Sequence, residues 1–346
     1  MISKFDIPFK SIRNGPDLTA GSGGGIVVLD KPGGLTSMDC VNYVRRLYRT
    51  QQVGHTGTLD PLATGVLVML VGRAVKVCEY TSGERKRYLA RLRLGIKTDS
   101  DDISGEIISS YDGDLPGICG VRAAAEKFLG EYDQIPPMYS AISHKGKRLY
   151  ELAREGIEIE RRPRRVEVYK ISVNPTDSPS DFDIDILCSG GTYIRTLCGD
   201  IGEALGCGGT MVALRRTGAG SFGIDEADTI EALAAMTDEE LKAKLKPVER
   251  VFDDLENIIL PDFFGSLARH GNSIYLKKLS RYKNRGFAVG DRVRMSDKNG
   301  FFALGELRMR DNELVIKPIK AFWTSETQDG DTETKPANDK GDGQNE

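Results

Sequence analysis

DFDIDILCSGGTYIRTLCGDIGEALG, residues 181–206, changes its period in mid-run. From Asp181 to Cys188 the chain alternates strictly, with Phe182, Ile184, Ile186 and Cys188 on one side and acids on the other, the pattern of a strand with one buried face. Ser189-Gly190-Gly191-Thr192 then turns the chain. Beyond it Ile194, Leu197, Ile201, Ala204 and Leu205 recur at helical spacing until Gly206 ends the run. Arg195 falls in the first turn of this helix, off its apolar stripe.

Upstream, Ile26-Val27-Val28-Leu29 reads as a short apolar strand, and Lys31-Pro32-Gly33-Gly34 as a turn. Thr36-Ser37 offers a helix cap ahead of Val41, Val44, Leu47 and Tyr48 at helical period. Val66 to Val71 reads as a buried strand. From Arg87 to Leu94 the chain alternates again, with Tyr88, Ala90, Leu92 and Leu94 towards the core and Arg87, Arg91 and Arg93 on a basic outer face. Thr229 to Lys246 reads as helical. Strands and helices intermix without a regular βαβ rhythm, so the expected class is α+β with a large mixed or antiparallel sheet flanked by helices and loops. Asp291–Met295, Phe301–Glu306 and Glu313–Ile319 are strand-like pieces between Gly and Asp/Asn turns, a small β-rich C-terminal module.

A chain of 346 residues has room for about two domains, and 39% hydrophobic with 29% charged residues is ordinary for a soluble globular protein. The longest apolar run, Val66–Val71, is too short to span a bilayer, and the N-terminus lacks the apolar core of a signal peptide, so a cytoplasmic, non-membrane protein is expected. Six cysteines (Cys40, Cys78, Cys119, Cys188, Cys198, Cys207) form no C-x-x-C pair, and His55, His144 and His270 lie far apart. Zinc sites and disulfide frameworks are disfavoured, and buried free thiols are the expected state.

The net charge of −3 hides an asymmetry: residues 324–346 hold seven acids and two lysines, which leaves the body at +2. That body clusters its base at Arg45, Arg46 and Arg49, along 85–93, at 145–148, at 161–165 and at Arg215-Arg216. Such clusters suit a polyanionic partner, although solvated faces carry similar runs. The expected division is a flexible arm at 1–25, a main folded domain at 26–250, the β-rich module at 251–323 and a disordered acidic tail at 324–346.

Chemistry centres on GHTGTLDPLATG, residues 54–65, where Asp60 stands among three glycines and three threonines. The carboxylate could cap the following turn, as Asp-Pro steps often do. A phosphoaspartyl role would want a D-x-D partner and magnesium ligands, which the stretch lacks. Attack on an activated carbon needs a lone ionised carboxylate with a counterion, and Arg195 is a candidate for that counterion. His55 could be a core histidine, a ligand or a group packing on a base, and Tyr88 by itself could be a core aromatic. The glycine pairs match neither phosphate-binding pattern, so no nucleotide cofactor is expected.

Five stretches in order, DKPGGLTS (30–37), GHTGTLDPLATGVL (54–67), KRYLARLRLGIKTDSDD (86–102), QIPPMYSAISHKGKRLYELAREG (134–156) and CSGGTYIRTLCGDIGEALGCGG (188–209), resemble TruB-type tRNA pseudouridine synthases. The resemblance covers residues 26–221, and implies isomerisation of uridine to pseudouridine in the T stem-loop of tRNA without metal or cofactor, by a monomer. It assigns Asp60 as nucleophile, attacking C6 of the base or C1′ of the ribose; Arg195 as its partner; Tyr88 as the residue under the target base, implicated in loss of the C5 proton; and His55 as a receiver of the flipped nucleotide. Lys31 matches a lysine near the first motif, with packing or RNA support as its role. Lys145, Lys147 and Arg148 fall in an RNA-clamping insertion at about 134–165 and are the expected phosphate contacts. The C-terminal part resembles a PUA-like module. Ser143 and His144 depart from the lysine and aromatic often seen in bacterial members, and Val68-Met69 from a proline-containing continuation. A guide-RNA-dependent rRNA enzyme of the same superfamily and a non-catalytic tRNA chaperone are the alternatives. A flipped uridine fits the chemistry, because a stacked base is closed to a carboxylate and extrusion is offset by stacking and phosphate contacts.

Overall fold

The computed structural model describes residues 24–81, 84–140, 142–144 and 146–322, so the acidic tail, Lys145 and residues 1–23 of the N-terminal arm lie outside the described residues. The chain divides into two compact units, the first ending at Asp254 and the second beginning at Leu255. The expected break at 250 moves to 254 because Arg250 is tied back to Glu226 and to the carbonyl of Ser221, while Phe252 packs edge-on to Tyr80.

The first unit opens with β1 (Gly24–Lys31), α1 (Ser37–Leu47), β2 (Val53–His55), β3 (Thr64–Gly72) and β4 (Lys86–Leu94). It continues through β5 (Ile96–Thr98), β6 (Ile107–Ser110), α2 (Ile118–Glu126), β7 (Gly130–Gln134), β8 (Ser143–His144), β9 (Lys147–Arg148) and α3 (Leu149–Arg154). It closes with β10 (Arg164–Pro175), β11 (Asp181–Cys188), α4 (Ile194–Ala204), β12 (Gly209–Ala219), β13 (Phe222–Gly223), α5 (Ile230–Ala235) and α6 (Asp238–Ala243). Among the described residues the main sheet has nine strands, ordered β1-β3-β12-β4-β11-β10-β7 with β2 on β3 and β13 on β12. Every pairing is antiparallel except β3 with β12, the mixed sheet expected of an α+β chain. Gly24 and Gly25 belong to β1, paired with Gly72 and Val71, so the arm gives way to the sheet at Gly24.

One face of the sheet carries the core. Tyr88, Ala90, Leu92 and Leu94 of β4 and Phe182, Ile184, Ile186 and Cys188 of β11 are buried with the apolar sides of α1, α2 and α4. The opposite face of β4 departs from the expected basic surface. Arg91 and Arg93 form two-pronged ion pairs with Asp183 and Asp181 directly across β11, and Arg87 reaches diagonally to Asp185. The acids that alternate along 181–188 therefore neutralise the arginines that alternate along 87–93, and these guanidiniums are engaged within the sheet.

Thr36 caps α1 through a capping box with Asp39. At the far end of the sheet α4 lies so close to the next strand that a Cβ on Gly202 would stand 2.1 Å from the nitrogen of Gly209. The helical run expected over 229–246 is two helices, because Thr237 starts a second capping box with Glu240 and breaks the first at Met236. Cys40, Cys188, Cys198 and Cys207 are buried thiols, while Cys78 and Cys119 are exposed.

The second unit holds β14 (Asn257–Ile259), α7 (Asp262–Arg269), β15 (Ile274–Tyr275), β16 (Arg292–Asp297), β17 (Gly300–Arg310) and β18 (Glu313–Ala321). Its sheet runs β14-β16-β17-β18-β15 over Ile258, Val293, Met295, Phe302, Leu307 and Ile316, a β-rich module. Asp311 and Asn312 make the β17–β18 turn with φ of 51° and 61°, the left-handed pair that a two-residue hairpin requires. Among the described residues no helix is long and apolar enough to cross a membrane.

Candidate active site

The Asp60 loop joins β2 to β3, and its backbone is tied on three sides. From α1, the Ser37 hydroxyl donates to the Leu59 carbonyl at 3.0 Å and accepts from the Leu59 amide at 2.9 Å. From the first turn, the Gly34 amide donates to the Pro61 carbonyl at 2.8 Å, and Lys31 Nζ reaches the same oxygen at 3.4 Å. From β12, Arg216 donates to the carbonyls of Val66 at 2.7 Å, Gly57 at 3.0 Å and Thr58 at 3.3 Å. Leu59 and Ala63 anchor the loop in the core. Gly65, at φ 98°, lets β3 meet β12 where a Cβ would stand 2.2 Å from the Arg216 carbonyl. A loop so fixed presents one carboxylate in one place, the condition for a preorganised reacting group.

Arg195 comes to that carboxylate from the first turn of α4. Its Nη2 lies 3.3 Å from Asp60 Oδ2 and 2.5 Å from the carbonyl of Tyr139, and its Nη1 lies 3.6 Å from Asp102 Oδ2. The guanidinium is 5% exposed and shared between two carboxylates. Asp102 is fixed in turn by Ser100 and by the Ser104 amide. The sequence offered Asp60 as a lone carboxylate held ionised by arginine, and the structure adds a second acid on the same arginine. A third of the Asp60 side chain still meets solvent, yet the surrounding protein desolvates its charge. Burial pushes the Asp60 carboxyl above its ordinary value; Arg195 and Lys31 pull it down, while Asp102 adds to the rise. The arginine acts with the expected sign and is outweighed.

Tyr88 sits on the inward face of β4, buried, beside Ile186 of β11 and Arg216 of β12. Its hydroxyl interacts with the Arg216 guanidinium, and burial raises it above the usual tyrosine value, so it is a phenol in the resting site. Arg216 is 1% exposed and links the Asp60 loop to Tyr88. Sequence reading placed it only in a basic cluster and found no strand at 209–219; the run TMVAL after Gly209 was the available signal. His55 ends β2 next to the loop with Nδ1 buried and without a hydrogen bond. Burial first, then Arg216 and Lys86, hold it below the ordinary histidine value, which keeps it neutral near pH 7.

Of the residues expected to touch RNA, Lys31 requires correction. Its side chain is fully buried, and Nζ donates to the carbonyls of Leu35 at 2.6 Å, Pro32 at 2.9 Å and Pro61 at 3.4 Å. Its ammonium is spent on the loops that carry Asp60, so it supports the loop and does not reach a substrate. Lys147 and Arg148 form the exposed strand β9 in the insertion, well separated in sequence from the Asp60 loop, and Lys147 pairs with Glu155 at 3.2 Å. Around them Met138, Leu149 and Leu152 form a small core of their own.

A family model described as TruB family pseudouridylate synthase (N terminal domain) matches residues 45–194, and one described as tRNA pseudouridylate synthase B C-terminal domain matches 195–253. The chain is 41% identical over 309 residues to tRNA pseudouridine synthase B of Alkaliphilus oremlandii, covering 87% of this chain and 99% of the relative. It is 40% identical over 288 residues to the protein of that name in Clostridium perfringens, covering 80% and 96%. Among solved structures it is similar to an archaeal box H/ACA sRNP Nop10-Cbf5 complex, at TM-score 0.65 and 26% identity over 87% of each chain. A Cbf5-Nop10-Gar1 complex, at TM-score 0.68 and 24% identity over 91% and 93%, shares the fold.

Proposed function

This chain belongs to the TruB family of pseudouridylate synthases and is a uridine-isomerising enzyme acting on tRNA, and from that premise we propose that its target is the T-loop uridine at position 55. The observation that carries the reading is the shared Arg195, which gathers Asp60 from the fixed loop beside the face that holds Tyr88. The uridine leaves its stack and enters the cleft, where Tyr88 offers an aromatic floor and the neutral His55 a packing surface. Asp60, ionised, adds to the nucleoside. The N1–C1′ bond breaks, the uracil rotates, a C5–C1′ bond forms as Asp60 is released, the C5 proton leaves and N1 takes up a proton in its place. Tyr88 rests as a phenol and must give up its own proton before it can take one from C5; the Arg216 guanidinium beside its oxygen accepts no proton and acts by favouring the phenolate. These steps use side chains of the chain itself. Lys147 and Arg148 grip the T stem from the insertion, and the β-rich C-terminal module is PUA-like. The enzyme works as a cytoplasmic monomer.

Stand-alone activity on tRNA is favoured over the guide-RNA-dependent reading by the relatives near 40% identity, against 26% for the archaeal particle subunit. The test is tritium release from unmodified tRNA carrying C5-labelled uridine, with the modified position mapped. Purified protein alone should release label at one T-loop uridine. Asp60→Asn should abolish release while tRNA affinity stays within a few fold. Release only with added guide RNA would support the guide-dependent enzyme, and tight binding without release the chaperone.

A further inference from the structure

Lys86 opens β4 two positions before Tyr88, on the same inward face. Its ammonium lies against the Asp60 loop: a Cβ on Gly57 would stand 2.7 Å from Lys86 Nζ and 3.6 Å from Arg216 Nη1. The side chain is half-buried. Among the described residues no hydrogen bond or ion pair engages this ammonium, whereas the similarly placed Lys31 gives its ammonium to three carbonyls. The acid it feels is Glu84, which burial pushes up to about 7, so that Glu84 offers only part of a charge near neutral pH. Lys86 is absent from the groups acting on Asp60, which are Arg195, Asp102 and Lys31. Desolvating an ammonium beside a buried guanidinium is unfavourable unless something compensates it. A cation held this way against the Asp60 loop suits an anion that arrives with the substrate, and uracil is neutral while the backbone on either side of it is not.

Resting on the tRNA reading above, we propose that Lys86 binds a backbone phosphate: it grips one of the two phosphates flanking the extruded uridine and so draws that nucleotide over Tyr88. Glu84 serves as its local counter-charge before RNA arrives. Gly57 keeps the passage open, since a side chain there would press on Nζ.

The test is a double-perturbation cycle on an unmodified T stem-loop RNA in which either flanking phosphate is replaced by an uncharged methylphosphonate. Wild type, Lys86→Met and Lys86→Arg are compared for RNA dissociation constant and for tritium release, with thermal melts to confirm folding. Should Lys86→Met not fold, Lys86→Gln carries the same cycle. On native RNA, Lys86→Met should bind roughly tenfold more weakly, as for the loss of one charge-assisted hydrogen bond, and Lys86→Arg should restore most of it. One methylphosphonate should cost the wild type roughly the same factor and cost Lys86→Met nothing further. Equal methylphosphonate penalties in wild type and Lys86→Met at both positions would overturn the proposal and leave Lys86 as a prop for the loop. Conversion of the native stem-loop by the wild type tests the functional reading separately, because the cycle in dissociation constants does not depend on turnover.

Discussion

Replacing Arg216 by methionine should separate the two halves of the active site. The residue makes two short hydrogen bonds, to Val66 at 2.7 Å and Gly57 at 3.0 Å, and a longer one to Thr58 at 3.3 Å. Hydrogen bonds to a charged donor contribute about 1.5–3 kcal/mol each, so the two short ones contribute on the order of 3–6. Methionine fills most of the volume and removes a buried charge whose desolvation opposes folding, which leaves a net loss of about 3 kcal/mol. For a unit of this size that is a fall in melting temperature of roughly 6–12 °C. At 25 °C the variant remains folded, yet the carbonyls of Gly57 and Thr58 have lost their donor and the Asp60 loop its tie to β12. A displacement near 1 Å at the reacting carboxylate lowers turnover about 100-fold. Tritium release under saturating tRNA, alongside a thermal melt, checks both numbers. A variant that melts lower but keeps kcat within threefold of wild type would refute the idea that these bonds fix the nucleophile. Unchanged melting would refute the energetics as well.

The acid limb of kcat/KM should lie above the ordinary aspartate range, because catalysis needs ionised Asp60 and burial raises its pKa; activity is therefore lost as pH falls through that raised value. Asp102→Asn removes a group that adds to the rise, so the limb should move to lower pH, and a limb that stays or moves up would contradict the shared-arginine geometry. Lys31, lowered from 10.5 to about 8 chiefly by burial, binds fewer protons folded than unfolded between those values, so it makes stability rise with pH across that window. Lys31→Met should remove that rise and leave the salt dependence of tRNA binding unchanged; a reduced salt slope would restore Lys31 to the RNA contacts. Tyr88→Phe should keep the packing, with a stability change within about 1 kcal/mol, and lose turnover far more than affinity in the tritium assay.

Much of the frame was legible before any coordinates. Period-two runs at 87–94 and 181–188 fall on adjacent antiparallel strands, and the helical spacings after Thr36 and Thr192 become α1 and α4. These features are local, and a strand or helix that buries one face must write that face into its own residues. The β12 strand escaped because LRRT puts two arginines where a reader of periodicity expects solvent. Arg216 is 1% exposed because the carbonyls of a loop some 150 residues away in sequence accept its donors. The basic outer face of β4 misled for the complementary reason: the count of arginines was right, but their acids lie about 90 residues downstream.

The sequence by itself determined the strands and helices that bury an apolar run or one periodic face, β1, β3, β4, β11, α1 and α4 among them, which single carboxylate is displayed on a glycine-rich loop, and, through five motifs in order, the family. Tertiary structure alone decided what each charge is for. Arg195 is divided between Asp60 and Asp102, Lys31 is spent on loop carbonyls, Arg216 fastens the loop to Tyr88, and the arginines of β4 are neutralised by β11. The physical reason is that burial and hydrophobic period are properties of neighbours along the chain, whereas the state of a charge is fixed by the donors, acceptors and solvent around it in space. GHTGTLDPLATG displays Asp60, and residues between 29 and 135 positions away along the chain, Lys31, Asp102 and Arg195, determine its charge.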